Sequence, residues 1–505
     1  MTVARIYLAG EWREPTGTKT FQAHNPQTGQ VFGDEYPVSN WDEIDLALKS
    51  ATKADAITRG WPGSRFAELL ERYADVLDAN ADPICELANQ ETALPVTPRL
   101  KNGELPRTTN QLRLAAAEAR TGAWALPTID RENDIRSIYR SIGPVLAIGP
   151  NNFPLAYNGI SGGDFAAVVA AGNPIIAKAH PAHPGTSRLM AELLQKVLQD
   201  LDFPAGFAQM LYDMHPADGL RMVRDPRIAA VGFTGSQRSG VAIKAAADAC
   251  GKPVFLEMSS INPIFILPGA LSGRFDEVVN DFLGSCLLGS GQFCTNPGLV
   301  ILPPGADAAR FVKVMQEKFA ASTPAPLLAA NVKEGMLMRF QQLLGTGAEL
   351  LAGGKACAGD GYRVENTLFQ VSAERFLATP EAFLEEVFGN SSLMVMTSSE
   401  DQYEAIAGCL NGQLTGCFYT TEQAADEALY RKLEPVVRRK VGRLLNNKMP
   451  TGVAVSPAMN HGGPFPATGH PGFTAVGFPA SMRRFSMLAC YDHVAPQHLP
   501  ELLRD

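Results

Sequence analysis

Three side chains carry the chemistry that this sequence can support. The first is Cys294, in the stretch GSGQFCTNPG from Gly289 to Gly298, where three glycines, a Phe, a Pro and an Asn surround a single thiol. A cysteine thiolate is a strong nucleophile toward carbonyl carbon. On those ten residues alone, the stretch reads first as a small buried thiol in a glycine-rich turn. The second is Glu257, which closes the apolar run VFLE. Open α/β sheets present ligand-facing groups at strand ends, and desolvation there raises a carboxyl pKa, which makes Glu257 a candidate general base. An exposed strand-end glutamate is the alternative. The third is Asn152 in NNFP, whose amide can donate to an oxyanion or can serve only the turn. Lys178, closing IIAK, can reach a ribose or phosphate, or can snorkel along an edge. The segment FTGSQRSG, Phe233 to Gly240, sets Ser236 between glycines at a strand-to-helix turn. The GxGxxG fingerprint of dinucleotide sites is absent.

These residues need elements to hold them. GPVLAIGP, NPIIAKAHP, IAAVGFTGS and KPVFLEMSS are short apolar runs ended by Gly, Pro, Ser or Asn, and the segments between them have helical spacing. Strands that are apolar throughout and alternate with helices predict a parallel sheet covered on both faces. A second α/β region is expected from Ser259 to Gly442, carried by PGLVILPP, SSLMVMTSS and TGCFYTT. The first 40 residues predict a small hairpin, and Asp42 to about Trp124 a helical region. DIRSIYRSIG and SMRRFSMLACYDHV fit neither sheet and are expected to pair as an oligomerisation arm. The expected division is residues 1–124 and 144–256 for a cofactor-binding domain, 257–455 for a catalytic domain, and 125–143 with 475–505 for the arm and tail.

At 505 residues the chain is too long for one core and is expected to form two to four units. Its 46% hydrophobic and 19% charged residues are those of an ordinary globular protein. The net charge of −8, with no Lys/Arg-rich run, argues against a nucleic-acid partner. No apolar stretch approaches a membrane span and the N-terminus has no signal-peptide pattern, so a cytoplasmic protein without a membrane partner is expected. The eight cysteines are scattered, with no CxxC spacing; no metal site is expected, and the thiols should be reduced.

NNFP, AKAHPAHPG, GFTGS, LEMSS, GQFCTN and EEVFG follow one another in the order and approximate spacing of the aldehyde dehydrogenase superfamily, which the chain resembles over nearly its whole length. AHPAHPGTS, EMSSINP, GQFCTNPGLV and PTGV followed by HGGPFPAT resemble the NADP-type and α-ketoglutarate semialdehyde dehydrogenase branch. The resemblance implies two doubly wound α/β domains, a Rossmann-like cofactor domain and a catalytic domain, plus a small β arm, assembled as a homodimer or a dimer-of-dimers tetramer. It implies that Cys294 attacks the aldehyde, that Asn152 and the Cys294 backbone N–H hold the oxyanion, and that hydride leaves to a nicotinamide. Glu257 then activates water against the thioester. Lys178 and Glu386 are expected at the cofactor riboses, Phe388 near the nicotinamide, and Gly235 and Ser236 at the pyrophosphate.

In NAD-preferring relatives a glutamate stands three positions after the lysine; here it is Pro181. A 2′-phosphate then meets no repulsion and could pair with His180 or Arg238, so NADP is expected to serve at least as well as NAD. The resemblance implies that the segment after Leu155, AYNGISGGDF, is a helix lining the aldehyde tunnel, and its sequence departs from the branch. Phe153, Tyr157, Phe293 and Arg107 are the candidates for substrate contact, Arg107 toward a remote carboxylate. The expected substrate is α-ketoglutarate semialdehyde, with medium or long aliphatic aldehydes as the alternative.

Other classes fare less well. A CoA-acylating enzyme has no need for Glu257, and a non-catalytic binder on this fold would be expected to lack one of Cys294, Glu257 and Asn152. A cysteine hydrolase needs a histidine beside the thiol, and no motif puts any of the eight histidines there. A depressed Cys294 pKa is expected from backbone dipoles, cofactor or Glu257, since no cation adjoins it in sequence.

Overall fold

A computed structural model describes residues 3–421 and 424–504. The apolar runs form strands because both of their faces are covered. Along Val145–Ile148, Val145 and Ala147 enter one hydrophobic layer while Leu146 enters the other; Ile175, Ala177 and Ile176 divide in the same way. One layer is closed by the helices Gly63–Ala79, Leu105–Thr121 and Gly163–Ala170, the other by Trp41–Thr58 and Gln237–Asp248. The spatial order is Val254–Glu257, Ala230–Thr234, Val145–Ile148, Ile175–Lys178, Ala208–Leu211, Ile6–Leu8, Glu11–Arg13. The first five strands are parallel, and in register Thr234 faces Glu257 while Ile148 faces both Phe233 and Lys178. Their carboxyl ends therefore finish in line, the edge where open α/β sheets bind ligands.

The N-terminal segment holds two hairpins rather than the one expected. Ile6–Leu8 and Glu11–Arg13 extend the large sheet antiparallel through Tyr7 against Met210, and Thr20–Asn25 pairs with Gln30–Ser39. Asn40 then starts the first long helix with a capping box to Glu43.

The second sheet runs Glu349–Ala352, Thr367–Ser372, Ser391–Met396, Leu299–Leu302, Ile264–Ile266, Gln413–Tyr419, Val441–Asn446, parallel except for its first strand. Its strands also split between two layers: Phe265 enters one, Ile264 and Ile266 the other. A separate three-stranded sheet joins Ser486–Asp492 to Ile135–Ser141 along both strands, with Thr128–Asp130 on the far side. Met487 and Leu488 on it are exposed.

One expected element is absent. Residues 154–162 form turns, and regular helix begins only at Gly163–Ala170. The Asn158 side chain explains this: its amide donates to Pro154 O and Ser187 Oγ, both at 2.9 Å, while its oxygen accepts from the Ile160 N–H at 3.2 Å. Such side-chain bonds offer the backbone an alternative to helix.

Candidate active site

The aligned strand ends deliver Glu257, the Gly149–Asn152 turn, Lys178 and the Gly235–Ser236 turn to one edge. There they line a cleft of about 600 Å³ together with His180, Cys294, Glu386 and Phe388. Gly235 is required in its turn: a Cβ would sit 2.8 Å from the Phe233 ring, and its N–H donates to Glu257 O at 3.0 Å. Ser236 caps the helix Gln237–Asp248, accepting from the Ser239 N–H. Arg238, on the first turn of that helix, is exposed and stands outside the lining, so it is not brought to the site as the sequence reading expected. Lys178 is ion-paired with Asp213 at 2.9 Å, a carboxylate that no sequence motif marks.

Cys294 is carried by the loop that precedes Leu299–Leu302. Gly289, Ser290 and Gly291 are all left-handed, and a Cβ on Gly291 would lie 2.2 Å from Gly389 O, so the thiol loop is seated directly on the EEVFG segment. Asn262, from EMSSINP, clasps the loop by donating to Cys294 O and Asn296 O, both at 2.9 Å. Thr415 Oγ1 in turn donates to Asn262 Oδ1 at 2.8 Å. The Asn152 amide donates to Gln292 O at 3.0 Å, two residues before the thiol.

A histidine stands beside the thiol after all. His461 Nε2 is 3.3 Å from Cys294 Sγ and 2.7 Å from Glu257 Oε1, and both His461 and Glu257 are buried. The His461 N–H donates to Thr474 Oγ1, which fixes the loop that carries it. The segment HGGPFPAT contributes to the resemblance, but nothing in its spacing ties it to Cys294, 167 residues away. Among the described residues, Cys294, His461 and Glu257 are also the group whose donor atoms, all within 4.8 Å of one another, could hold a metal ion.

This chain of three overturns two expectations about acidity. Burial and the neighbouring Glu257 charge push the Cys294 thiol well above its ordinary pKa instead of depressing it. Burial alone would raise Glu257. The charge and hydrogen bond of His461, the hydrogen bond from Cys294 and the charge of Arg484 outweigh it, and the carboxyl lies below its usual value. Burial also pushes Glu386 up to about 8, against hydrogen bonds from the Ser259 hydroxyl and the Ser260 N–H. His180 is held well below its ordinary value by burial and by the charges of His183 and Lys178, so it is a neutral ring near pH 7 and not the cation expected for a 2′-phosphate.

The aldehyde-side candidates do meet. Phe153 lies 5.1 Å from Tyr157 and 5.6 Å from Phe293, centroid to centroid. Arg107 donates to Tyr157 OH at 3.0 Å. Sequence reasoning missed the clasp behind them. Arg99 stacks 4.4 Å from the Phe153 ring, donates to Asn152 O at 3.1 Å and pairs with buried Glu104 at 2.6 Å. The other Glu104 oxygen accepts from the Leu155 and Ala156 N–H groups. This clasp fixes the turn that carries Asn152 and Phe153.

The sequence matches the model of the aldehyde dehydrogenase family over residues 12–464. The chain belongs to the aldehyde dehydrogenase family. It is accordingly an oxidoreductase acting on aldehydes, and enzymes of this family use NAD or NADP. It is 38% identical over 502 residues to alpha-ketoglutaric semialdehyde dehydrogenase 2 of Azospirillum brasilense, covering 96% of this chain and 94% of that one. It is 33% identical over 510 residues to the alpha-ketoglutaric semialdehyde dehydrogenase of Acinetobacter baylyi, covering 98% and 94%. The fold is that of the NAD⁺ complex of the Bacillus cereus aldehyde dehydrogenase, with TM-score 0.82 over 97% of this chain and 96% of that one at 21% identity. Among the described residues no helix is long and apolar enough to cross a membrane.

The cleft fits the cofactor of such a dehydrogenase. Its lining joins the Gly235–Ser236 turn at a helix start, the cation Lys178 and the carboxyl of Glu386, groups suited to a pyrophosphate and its riboses.

Proposed function

We propose that this aldehyde dehydrogenase oxidises α-ketoglutarate semialdehyde (2,5-dioxopentanoate) to 2-oxoglutarate. The observation that carries the substrate is Arg107, a guanidinium at the aromatic aldehyde side whose Nε is buried without a hydrogen-bond partner. The names of the two relatives point the same way. Cys294 is the nucleophile. Its proton leaves to solvent through the cleft that Cys294 lines, while His461 directs its Nε2–H to Glu257 Oε1 and keeps that carboxylate ionised. The aldehyde carbon bonds to Sγ, and the oxygen takes up negative charge facing the second N–H of the Asn152 amide and the Cys294 N–H. Lys178, Gly235, Ser236, Glu386 and Phe388 would hold the nicotinamide cofactor, which when bound supplies the hydride acceptor. Glu257, kept ionised by His461, then takes a proton from the water that hydrolyses the Cys294 thioester.

NADP serves at least as well as NAD in this reading. Pro181 supports it, because no carboxylate occupies that position, while Asp213 beside Lys178 limits the gain. Measured kcat/KM for 2,5-dioxopentanoate and for a series of aliphatic aldehydes, each with both cofactors, tests both statements. Preference for a long aliphatic aldehyde, or a tenfold preference for NAD, overturns the corresponding one. Assembly through the separate sheet is part of the proposal, supported by exposed Met487 and Leu488 on a long paired strand. The boundaries 1–124 with 144–256, 257–455, and 125–143 with 475–505 describe its units, and the cytoplasm is its proposed compartment.

A further inference from the structure

We propose that Arg443, together with Arg107, forms the subsite that grips the carboxylate at the far end of the aldehyde substrate. This rests on the substrate reading above and deepens it. Arg443 lies on the last strand of the second sheet, Val441–Asn446, and no motif marks it. Its guanidinium donates to Gly452 O at 3.1 Å and to Pro450 O. Arg107 donates to the adjacent carbonyl, Val453 O, at 2.5 Å. Two cations, from segments over 300 residues apart, thus hang from neighbouring carbonyls of one short turn. That turn is tied to the nucleophile loop: Thr451 accepts from Ser285 Oγ at 2.6 Å and donates to Thr295 O at 3.4 Å, the residue after Cys294. Both arginines keep a buried Nε without a hydrogen-bond partner, and neither forms an ion pair among the described residues.

Half-buried guanidinium groups are costly without an anion, and carbonyl oxygens neutralise no charge. The fixed fork of a guanidinium matches a carboxylate. Burial lowers the Arg443 pKa, and the first group opposing that shift is Cys294, which agrees with a cation facing the reaction chamber. The ligand class is an ω-oxo carboxylate with its aldehyde at Cys294 and its carboxylate or 2-oxo carboxylate between the two arginines.

The test compares 2,5-dioxopentanoate with pentanal, a neutral aldehyde of equal carbon count, on the full-length enzyme. In R443Q the ratio of the two kcat/KM values should fall about 100-fold, chiefly through KM for the acid, with R443K recovering part of it. A ratio within threefold of wild type overturns the proposal, whether both substrates decline together or neither does. If R443Q does not fold, R443K carries the same comparison with a smaller expected fall of about tenfold. Failure of the wild-type enzyme to prefer 2,5-dioxopentanoate to pentanal refutes the substrate reading itself, before any variant is made.

Discussion

The two sides of Cys294 are built by different means. On the cofactor side, Glu257, Lys178 and the Gly235–Ser236 turn sit at the ends of parallel strands whose register fixes them relative to one another. On the aldehyde side, Phe153, Tyr157, Phe293 and His461 come from irregular segments held by single polar clasps, Arg99 with Glu104, Asn158, Asn262 and the hydroxyl of Thr474, and Arg107 joins them from the first turn of the helix Leu105–Thr121. A sheet can position a reaction common to many aldehydes. Loops pinned by individual side chains can be altered for one substrate without disturbing that sheet.

Four substitutions press on this division. Asn152 belongs to both sides, so N152A should lower kcat by about 100-fold or more, as loss of an oxyanion donor does elsewhere. A fall of less than tenfold would leave the Cys294 backbone as the main donor. H461N should lower kcat by about 100-fold. It also moves the acid limb of the pH profile in a defined direction. With the His461 charge gone, burial dominates at Glu257, the carboxyl pKa rises, and the limb shifts to higher pH. An unmoved limb contradicts that coupling.

Breaking the Arg99–Glu104 clasp sharpens the contrast further. E104Q leaves the half-buried Arg99 unpaired and should cost about 3 kcal/mol in urea unfolding. It should raise KM for the aldehyde more than KM for the cofactor; equal effects would mean that the two sides are not separately held. The smallest change is expected at Asp213. D213N removes a negative charge from Lys178 and should raise kcat/KM for NADP relative to NAD about fivefold. No change in that ratio would remove Asp213 from the cofactor contact.

The same division governs what was legible in the sequence. Apolar runs ended by Gly, Asn or Lys mark strand ends, so Glu257, Lys178 and the Gly235–Ser236 turn could be read directly, and the two parallel sheets with them. Cys294 and Asn152 needed their neighbours for context, because a thiol in a glycine-rich loop and an Asn before a Pro each have an ordinary explanation. His461 was invisible because residues 447–479 contain no helix or strand, so no periodicity relates it to Glu257, 204 positions away. That omission also reversed the expected acidity of Glu257, which depends on a partner that spacing cannot supply. Arg99 and Glu104 lie in VTPRLKNGE, where no motif distinguishes them from the rest of the helical region. The turn at 154–162 was expected as helix from the family resemblance, and the Asn158 bonds that replace the helix there leave no mark in the spacing of residues. Arg238 shows the opposite case: it stands near the right turn in sequence, yet it is exposed and outside the cleft lining.

In the proposed reaction Cys294 is acylated by the aldehyde, and Glu257 is needed chiefly to remove the acyl group. Rapid-mixing measurement of reduced cofactor from the E257Q enzyme with 2,5-dioxopentanoate tests this most directly. A burst of about one equivalent per site is expected, followed by turnover at least 100-fold slower than wild type. Loss of the burst together with turnover, or steady turnover at the wild-type rate, would contradict it.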